Sequence, residues 1–337
     1  MQSSWKTTGN PLIDPYQRRI NYLRLSVTDR CNLRCLYCMP SPGVPFLPHE
    51  DILRYEELER IARIAISLGI TKIRLTGGEP LVRRDLPHLC ERIARLPELE
   101  SLSLTTNGVL LSQFARDLFN AGISRLNISL DTLNPEQYAS VTGKHDFFQV
   151  WKGIHQAHVI GFQPIKINVV VMRGLNDEEI GDLASLTYTY PFHVRFIELM
   201  QSLPGIQERH FFSGEEIEER LRRLDRLLPA HSESSNGPAR YYRFPGALGK
   251  IGLITPVTQH FCHTCNRLRV TADGRLRNCL FGQEEADLRS LLRRGAADEE
   301  IEGAFRQAIW NKPRDHSLND AGISRKCLSR PMSAIGG

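Results

Sequence analysis

No run of apolar residues in this 337-residue chain approaches the roughly 20 that a membrane-spanning helix requires. A helical membrane protein is thereby excluded. The first twenty residues, MQSSWKTTGNPLIDPYQRRI, are polar and broken by proline, without the apolar centre of a signal peptide. The protein is accordingly expected in the cytoplasm, where thiols stay reduced. Charge of one sign is scarcely in excess, because 43 Lys and Arg against 38 Asp and Glu leave a net +5. That balance allows an anionic partner without identifying one. Aromatic residues interleaved with Lys and Arg, the mark of an RNA-binding surface, are not evident, so no nucleic-acid partner is expected. No internal repeat is visible beyond an alternation of β-rich and helical runs.

Cysteine is present in an unusual arrangement. Of the eight cysteines, six fall into two tight groups. Cys31, Cys35 and Cys38, in CNLRCLYC directly after YLRLSVTDR, form CxxxCxxC. Cys262, Cys265 and Cys279, in FCHTCNRLRV and RNCLFG, form CxxCx13C. Three thiolates can hold a cubane iron–sulfur cluster by three of its four irons, and the fourth iron is then open to a small molecule. A structural zinc site normally takes four protein ligands, so three thiols on a loop after a strand favour the cluster for the first group. For the second group taken alone, zinc and a cluster both stand. The fourth zinc ligand would be His260, His263 or Cys327, with His263 strained by its place between two of the cysteines. Cys90, in LPHLCERIARL, is expected to be a buried small hydrophobe.

From about residue 20 to 198, β-rich runs alternate with helical patterns. The runs are NYLRLSV, TKIRLT, LSLTTN, SRLNISL, IKINVVV and FHVRFIEL. Six such units match the βαβ repeat of a parallel sheet and are too few for a closed eight-stranded barrel. The expected fold is α/β, a partial (βα)6 TIM-like barrel with a smaller C-terminal region. The chain divides at this stage into an N-terminal extension (1–20), the partial barrel (21–200) and a C-terminal region (201–337) with the second cysteine group and a final Gly336-Gly337.

Strands covered on both faces are ordinarily almost wholly apolar, and these are not. Arg24 lies within YLRLSV, Lys72 and Arg74 alternate in TKIRLT, Lys166 and Asn168 alternate in IKINVV, and Arg195 lies in HVRFIEL. Period-2 geometry sends each alternating pair to one face and their apolar neighbours to the other. Unpaired buried charge is costly, so several cations pointing into one barrel imply either a bound polyanion or partner carboxylates such as Glu79, Asp131 or Glu198. The anion is favoured, since Arg offers forked donors for phosphate. Arg267 and Arg269 extend the same lining towards the second cysteine group. TGGEP at 76–80 lacks the GxxxxGK(S/T) pattern of a phosphate loop and reads, by itself, as a tight strand-to-helix turn.

CxxxCxxC with Tyr37 before its last cysteine, followed one βα unit later by GGEP, resembles the radical S-adenosylmethionine (SAM) enzymes. Together with LTTNG, LNISLD, KINVVV, RFIELM, GLIT, FCHTCNRLR, DGRLRNCLF and the final GG, nearly the whole chain resembles the GTP 3′,8-cyclase family of molybdenum cofactor biosynthesis. The stretch HFCHTC holds more histidine than the family pattern.

The resemblance implies that Cys31, Cys35 and Cys38 hold a 4Fe-4S cluster whose open iron binds SAM, with Tyr37, Gly78, Ser129 and Met200 contacting SAM. It implies that Arg24, Lys72, Arg74, Thr105, Lys166 and the segment Arg267, Leu268, Arg269 line a GTP site. Cys262, Cys265 and Cys279 would hold a second 4Fe-4S cluster that anchors the guanine. A 5′-deoxyadenosyl radical from SAM would then remove the 3′ hydrogen of GTP, and the C3′ radical would attack C8 to give 3′,8-cyclo-7,8-dihydro-GTP. An electron donor and a cyclic pyranopterin monophosphate synthase that takes the product onward are the implied partners, and a homodimer is admitted. Two other readings stand against it: a radical SAM maturase acting on a peptide, and a zinc-stabilised basic module binding RNA.

Overall fold

The computed structural model describes residues 12–39, 43, 45–200, 206–231, 237–282, 285–316 and 330–336. Residues 1–11, residues 232–236 of the Ser-rich loop HSESSNGPAR, Cys327 and Gly337 lie outside the described residues. The six expected strands form as β1 (Tyr22–Ser26), β2 (Lys72–Thr76), β3 (Ser101–Thr106), β4 (Arg125–Ser129), β5 (Ile165–Val171) and β6 (His193–Glu198), neighbours in chain order and parallel throughout. Between them run α1 (Tyr55–Ser67), α2 (Leu86–Ala94), α3 (Leu111–Asn120), α4 (Pro135–Thr142), α5 (Phe147–Ile160) and α6 (Ile180–Thr189). Local signals set their ends. In α4, Asn134 caps the N-terminus by accepting from the Glu136 and Gln137 amides, Pro135 occupies the first turn, and Gly143 at φ 73° ends the helix.

After β6 come α7 (Ile206–His210), α8 (Gly214–Leu224), β7 (Leu228–Ala230), β8 (Arg240–Arg243) and β9 (Lys250–Ile254). Then follow β10 (Arg267–Val270), β11 (Arg275–Arg277), β12 (Glu285–Asp287), α9 (Leu288–Arg293), α10 (Asp298–Trp310) and α11 (Met332–Ile335). These strands do not make a sheet of their own. β9 adds in parallel to β6 at one edge and β10 adds in parallel to β1 at the other, each followed outward by antiparallel strands, in the order β12-β11-β10-β1-β2-β3-β4-β5-β6-β9-β8-β7. The sheet therefore stays open, and the region after residue 200 flanks the (βα)6 core on both sides. One hydrophobic core joins Leu23, Ile73 and Ile167 of the barrel to Leu268, Leu276 and Phe305 beyond it.

Alternation along the strands sorts the charges as expected. Leu23, Leu25, Ile73, Leu75, Ile167 and Val169 are fully buried on the helix side, while Arg24, Lys72, Arg74, Lys166 and Asn168 line the opposite, inner face. Register places these side by side, with Arg269 opposite Arg24, Arg24 opposite Arg74, and Asn127 opposite Lys166.

Candidate active site

A cavity of about 390 Å³ opens on this inner face, and the two cysteine groups lie on its wall. The first group sits on the loop that leaves β1. That loop is held from two sides: Arg34 and Leu36 amides donate to the Thr142 and Val141 carbonyls (2.9 and 3.0 Å) at the end of α4, and Gly78 and Glu79 amides donate to Thr28 and Arg30 carbonyls (2.8 and 2.7 Å). The glycines of GGEP are explained by this approach. A Cβ on Gly78 would lie 2.4 Å from the Arg30 oxygen, and one on Gly77 would lie 2.7 Å from the Thr28 oxygen. Gly78→Ala is accordingly expected to cost about 3 kcal/mol of stability by overpacking against backbone, seen as a lowered thermal midpoint together with poor iron retention. Wild-type midpoint and iron content in that variant would show that the loop does not rest on this contact.

Glu79 itself faces away from the cavity and ties loops together, accepting from Leu81 N (3.0 Å), Asn107 N (2.6 Å) and Thr106 Oγ1 (2.8 Å). Burial raises its carboxyl to about 7 against those donors. Asn107 in turn donates to Asn32 Oδ1 (2.8 Å) and approaches Cys31 Sγ at 3.8 Å. Tyr37 donates its hydroxyl to Asp131 (2.8 Å), whose other oxygen accepts from Val170 N (2.8 Å).

The second group is positioned from the far side of the chain. Cys262 opens a single 3-10 turn closed by Cys265 N donating to Cys262 O (3.1 Å). Arg18, buried and paired with Asp14, donates to the carbonyls of Cys262 (2.8 Å), Pro313 (2.6 Å) and Arg314 (3.0 Å). Lys312, buried in turn, donates to Arg267 O (3.0 Å) and to Asn278 O.

The two groups differ in their electrostatics. Burial raises all three thiols of the first, with Cys38 pushed up to about 12 by burial and by Cys31 beside it. Around Cys265 burial acts the same way, but Arg267 and Lys312 outweigh it and bring the thiol down to about 7. No disulfide joins the described cysteines. Among the described residues, the one set of three metal-ligating side chains with donor atoms within 4.8 Å of one another is His260, Cys262 and His316. Neither thiol group is that compact, whereas one tetrahedral zinc with bonds of about 2.3 Å would draw its thiolates to within about 4 Å. The wider spacing, with three soft donors in each group, fits a cubane cluster.

The floor between the groups is cationic. Arg24, Lys72, Arg74 and Arg195 make no ion pair with a carboxylate among the described residues; Glu79 and Asp131 are engaged as above, and Glu198 accepts from Gly214, Val257 and Thr258. Arg74 donates to Ser103 Oγ (3.3 Å) and lies over the Tyr22 ring, and Arg195 donates to Asn127 Oδ1 (2.6 Å). Burial, then Arg269 and Arg74, holds the Arg24 guanidinium well below its ordinary value. Burial pushes the Tyr22 hydroxyl up, yet Arg74, Arg24, Arg267 and Arg195 outweigh it. Arg24 Nε, Thr76 Oγ1, Thr105 Oγ1, Asn168 Oδ1, Arg195 Nε and Ser333 Oγ are buried along the cavity without a hydrogen-bond partner among the described residues. Such a set of orphaned polar atoms around unneutralised cations fits a large polar anion.

The chain is similar to known proteins along nearly its whole length. Residues 25–187 match the model of the radical SAM superfamily, and residues 192–318 match that of Molybdenum Cofactor Synthesis C. The chain is 47% identical to the GTP 3′,8-cyclase of Moorella thermoacetica over 96% of its own length and 99% of that protein's. It is 48% identical to the GTP 3′,8-cyclase of Peptoclostridium acidaminophilum over 97% and 98%. The chain belongs to the GTP 3′,8-cyclase family. Among solved structures, Streptococcus suis SuiB bound to S-adenosylmethionine shares the fold at a TM-score of 0.57 and 16% identity, over 85% of this chain and 68% of that one.

Of the residues that the GTP 3′,8-cyclase resemblance singled out, all six cysteines, Tyr37, Gly78, Ser129, Met200, Arg24, Lys72, Arg74, Thr105, Lys166, Arg267 and Arg269 line the one cavity. Leu268 does not. Strand alternation turns its side chain, fully buried, into the core between the two arginines. Gly336 reaches the site, its carbonyl accepting from Arg24 (3.2 Å) and Arg269 (3.4 Å). Sequence reasoning missed Asn107, Asn127, Ser103, Tyr22, Arg18, Lys312 and His316. The strand pattern contained a signal for Asn127, Ser103 and Tyr22, which share a face with the cations; nothing local marked Arg18 or Lys312.

Proposed function

We propose that the chain is a GTP 3′,8-cyclase of molybdenum cofactor biosynthesis, forming 3′,8-cyclo-7,8-dihydro-GTP. The observation that carries this reading is a single cavity with a three-thiol group at either end and a cationic floor between them. Cys31, Cys35 and Cys38 would hold the cluster that binds SAM, beside Tyr37, Gly78, Ser129 and Met200. Cys262, Cys265 and Cys279 would hold the second. When bound, the first cluster and SAM would supply the 5′-deoxyadenosyl radical chemistry that hydrogen abstraction at C3′ of GTP requires.

The protein's own part is placement. Arg24, Lys72, Arg74 and Lys166 on adjacent strands take the triphosphate by charge-assisted bonds, Thr105 lends a hydroxyl with no other partner, and Arg267 and Arg269 carry the lining to the second group. Holding the ribose still against the radical source and excluding water are what such a cavity contributes to the rate. A peptide substrate would leave this floor uncompensated, and an RNA-binding module has no use for an inward-facing one. An external electron donor, a reducing cytoplasm and a cyclic pyranopterin monophosphate synthase that consumes the product complete the reading. Protein purified without oxygen is expected to hold about eight iron and eight sulfide per chain. Stoichiometric zinc with no visible charge-transfer absorption would overturn the proposal.

A further inference from the structure

The second cysteine group has two histidines beside it that the cyclase reading does not use. Donor atoms of His260, Cys262 and His316 lie within 4.8 Å of one another, and all three side chains line the cavity. Among the described residues His260 Nδ1 is buried without a hydrogen-bond partner; Asp315 Oδ1, at 3.9 Å, is too distant to make one. His316 donates from Nε2 to the Pro256 carbonyl (3.0 Å), which fixes its ring as the outer contact of a metal-ligating histidine does. Its ring also packs edge-on against His260 at 5.1 Å and lies tilted against Phe281 at 5.1 Å. Two imidazoles and one thiol at this spacing suit one borderline divalent ion with a fourth position left to water.

We propose that His260, Cys262 and His316 form a mononuclear zinc site that competes with the second iron–sulfur cluster for Cys262. This rests on the reading of Cys262, Cys265 and Cys279 as cluster ligands. The two states differ by simple exchange: the Cys262 thiol gives its proton to solvent when zinc binds, and no electron changes hands. Because Cys262 is shared, the ion and the cluster exclude each other. Zinc in excess over iron and sulfide therefore blocks the second cluster while leaving the first untouched.

The test uses full-length protein with its first cluster loaded, titrated anaerobically with zinc and, for spectroscopy, with cobalt(II). In a Cys265→Ala/Cys279→Ala variant, which cannot hold the second cluster, a single equivalent of zinc should bind. Its cobalt form should be tetrahedral with charge transfer from one thiolate. His260→Ala/His316→Ala in that background should weaken zinc binding by more than about 100-fold, beyond what loss of an outer contact causes. In the wild-type background the same two histidine changes should leave the second cluster's iron in place, which also reports that the variant folds. Zinc binding that survives loss of both histidines, that disappears with Cys265 and Cys279, or that coexists with a full second cluster would overturn the inference. If the wild type never holds a second cluster, the cyclase reading fails instead, and the zinc titration still reads the site by itself.

Discussion

Cys31→Ala is expected to abolish SAM cleavage outright, whereas Cys262→Ala should keep some cleavage and lose cyclisation. The difference follows from where the two groups sit. Cys31 belongs to the loop gripped by GGEP and by the end of α4, beside Tyr37 and Gly78, and without it the radical has no source. Cys262 lies at the opposite end of the cavity, clamped by Arg18 and next to the Arg267–Arg269 strand. Its loss leaves the first group intact and, on the proposed function, would remove the anchor for the far end of the nucleotide. Assay of 5′-deoxyadenosine and of cyclised nucleotide in both variants, at matched loading of the first cluster, checks this. Equal loss of cleavage in the two would make the second group structural.

Guanosine is expected to bind more than about 100-fold more weakly than GTP, and Arg74→Ala should remove a large part of that difference. Arg74 is held over Tyr22 by the ring and by Ser103, between Arg24 on one neighbouring strand and Ser103 on the other. Among the described residues it has no carboxylate partner. Truncation should weaken GTP binding by about 2 kcal/mol, the range of charge-assisted bonds and close to 30-fold, and leave guanosine almost unchanged. Binding of both ligands to wild type and variant at fixed salt gives the comparison. Loss of both affinities alike would mean that β2 does not read phosphate.

The fold was legible where the chain repeats itself locally. Arg24, Lys72, Arg74 and Lys166 betrayed an inner polar face because alternation is a two-residue signal, and their apolar neighbours fixed the helix side. Cysteine spacing marked the two groups for the same reason. The joining of β9 to β6 and β10 to β1 was not legible, since pairing between distant segments leaves no periodic trace in either one. Arg18 is the clearest case: 244 residues separate it from the Cys262 carbonyl it holds. His316 reached the second group only because the segment after α10 folds back beneath Cys262. Leu268 is the reverse case: the resemblance places it at the GTP site, whereas the alternation that makes Arg267 and Arg269 cavity residues turns its side chain into the core.

The central claim is that this cavity sets the 3′ carbon of GTP against a radical derived from SAM. GTP deuterated at C3′, incubated anaerobically with the loaded protein, SAM and a reductant, tests it most directly. Deuterium should move into 5′-deoxyadenosine in step with cyclised nucleotide. Formation of 5′-deoxyadenosine without deuterium, with the label retained in unchanged GTP, would contradict the account.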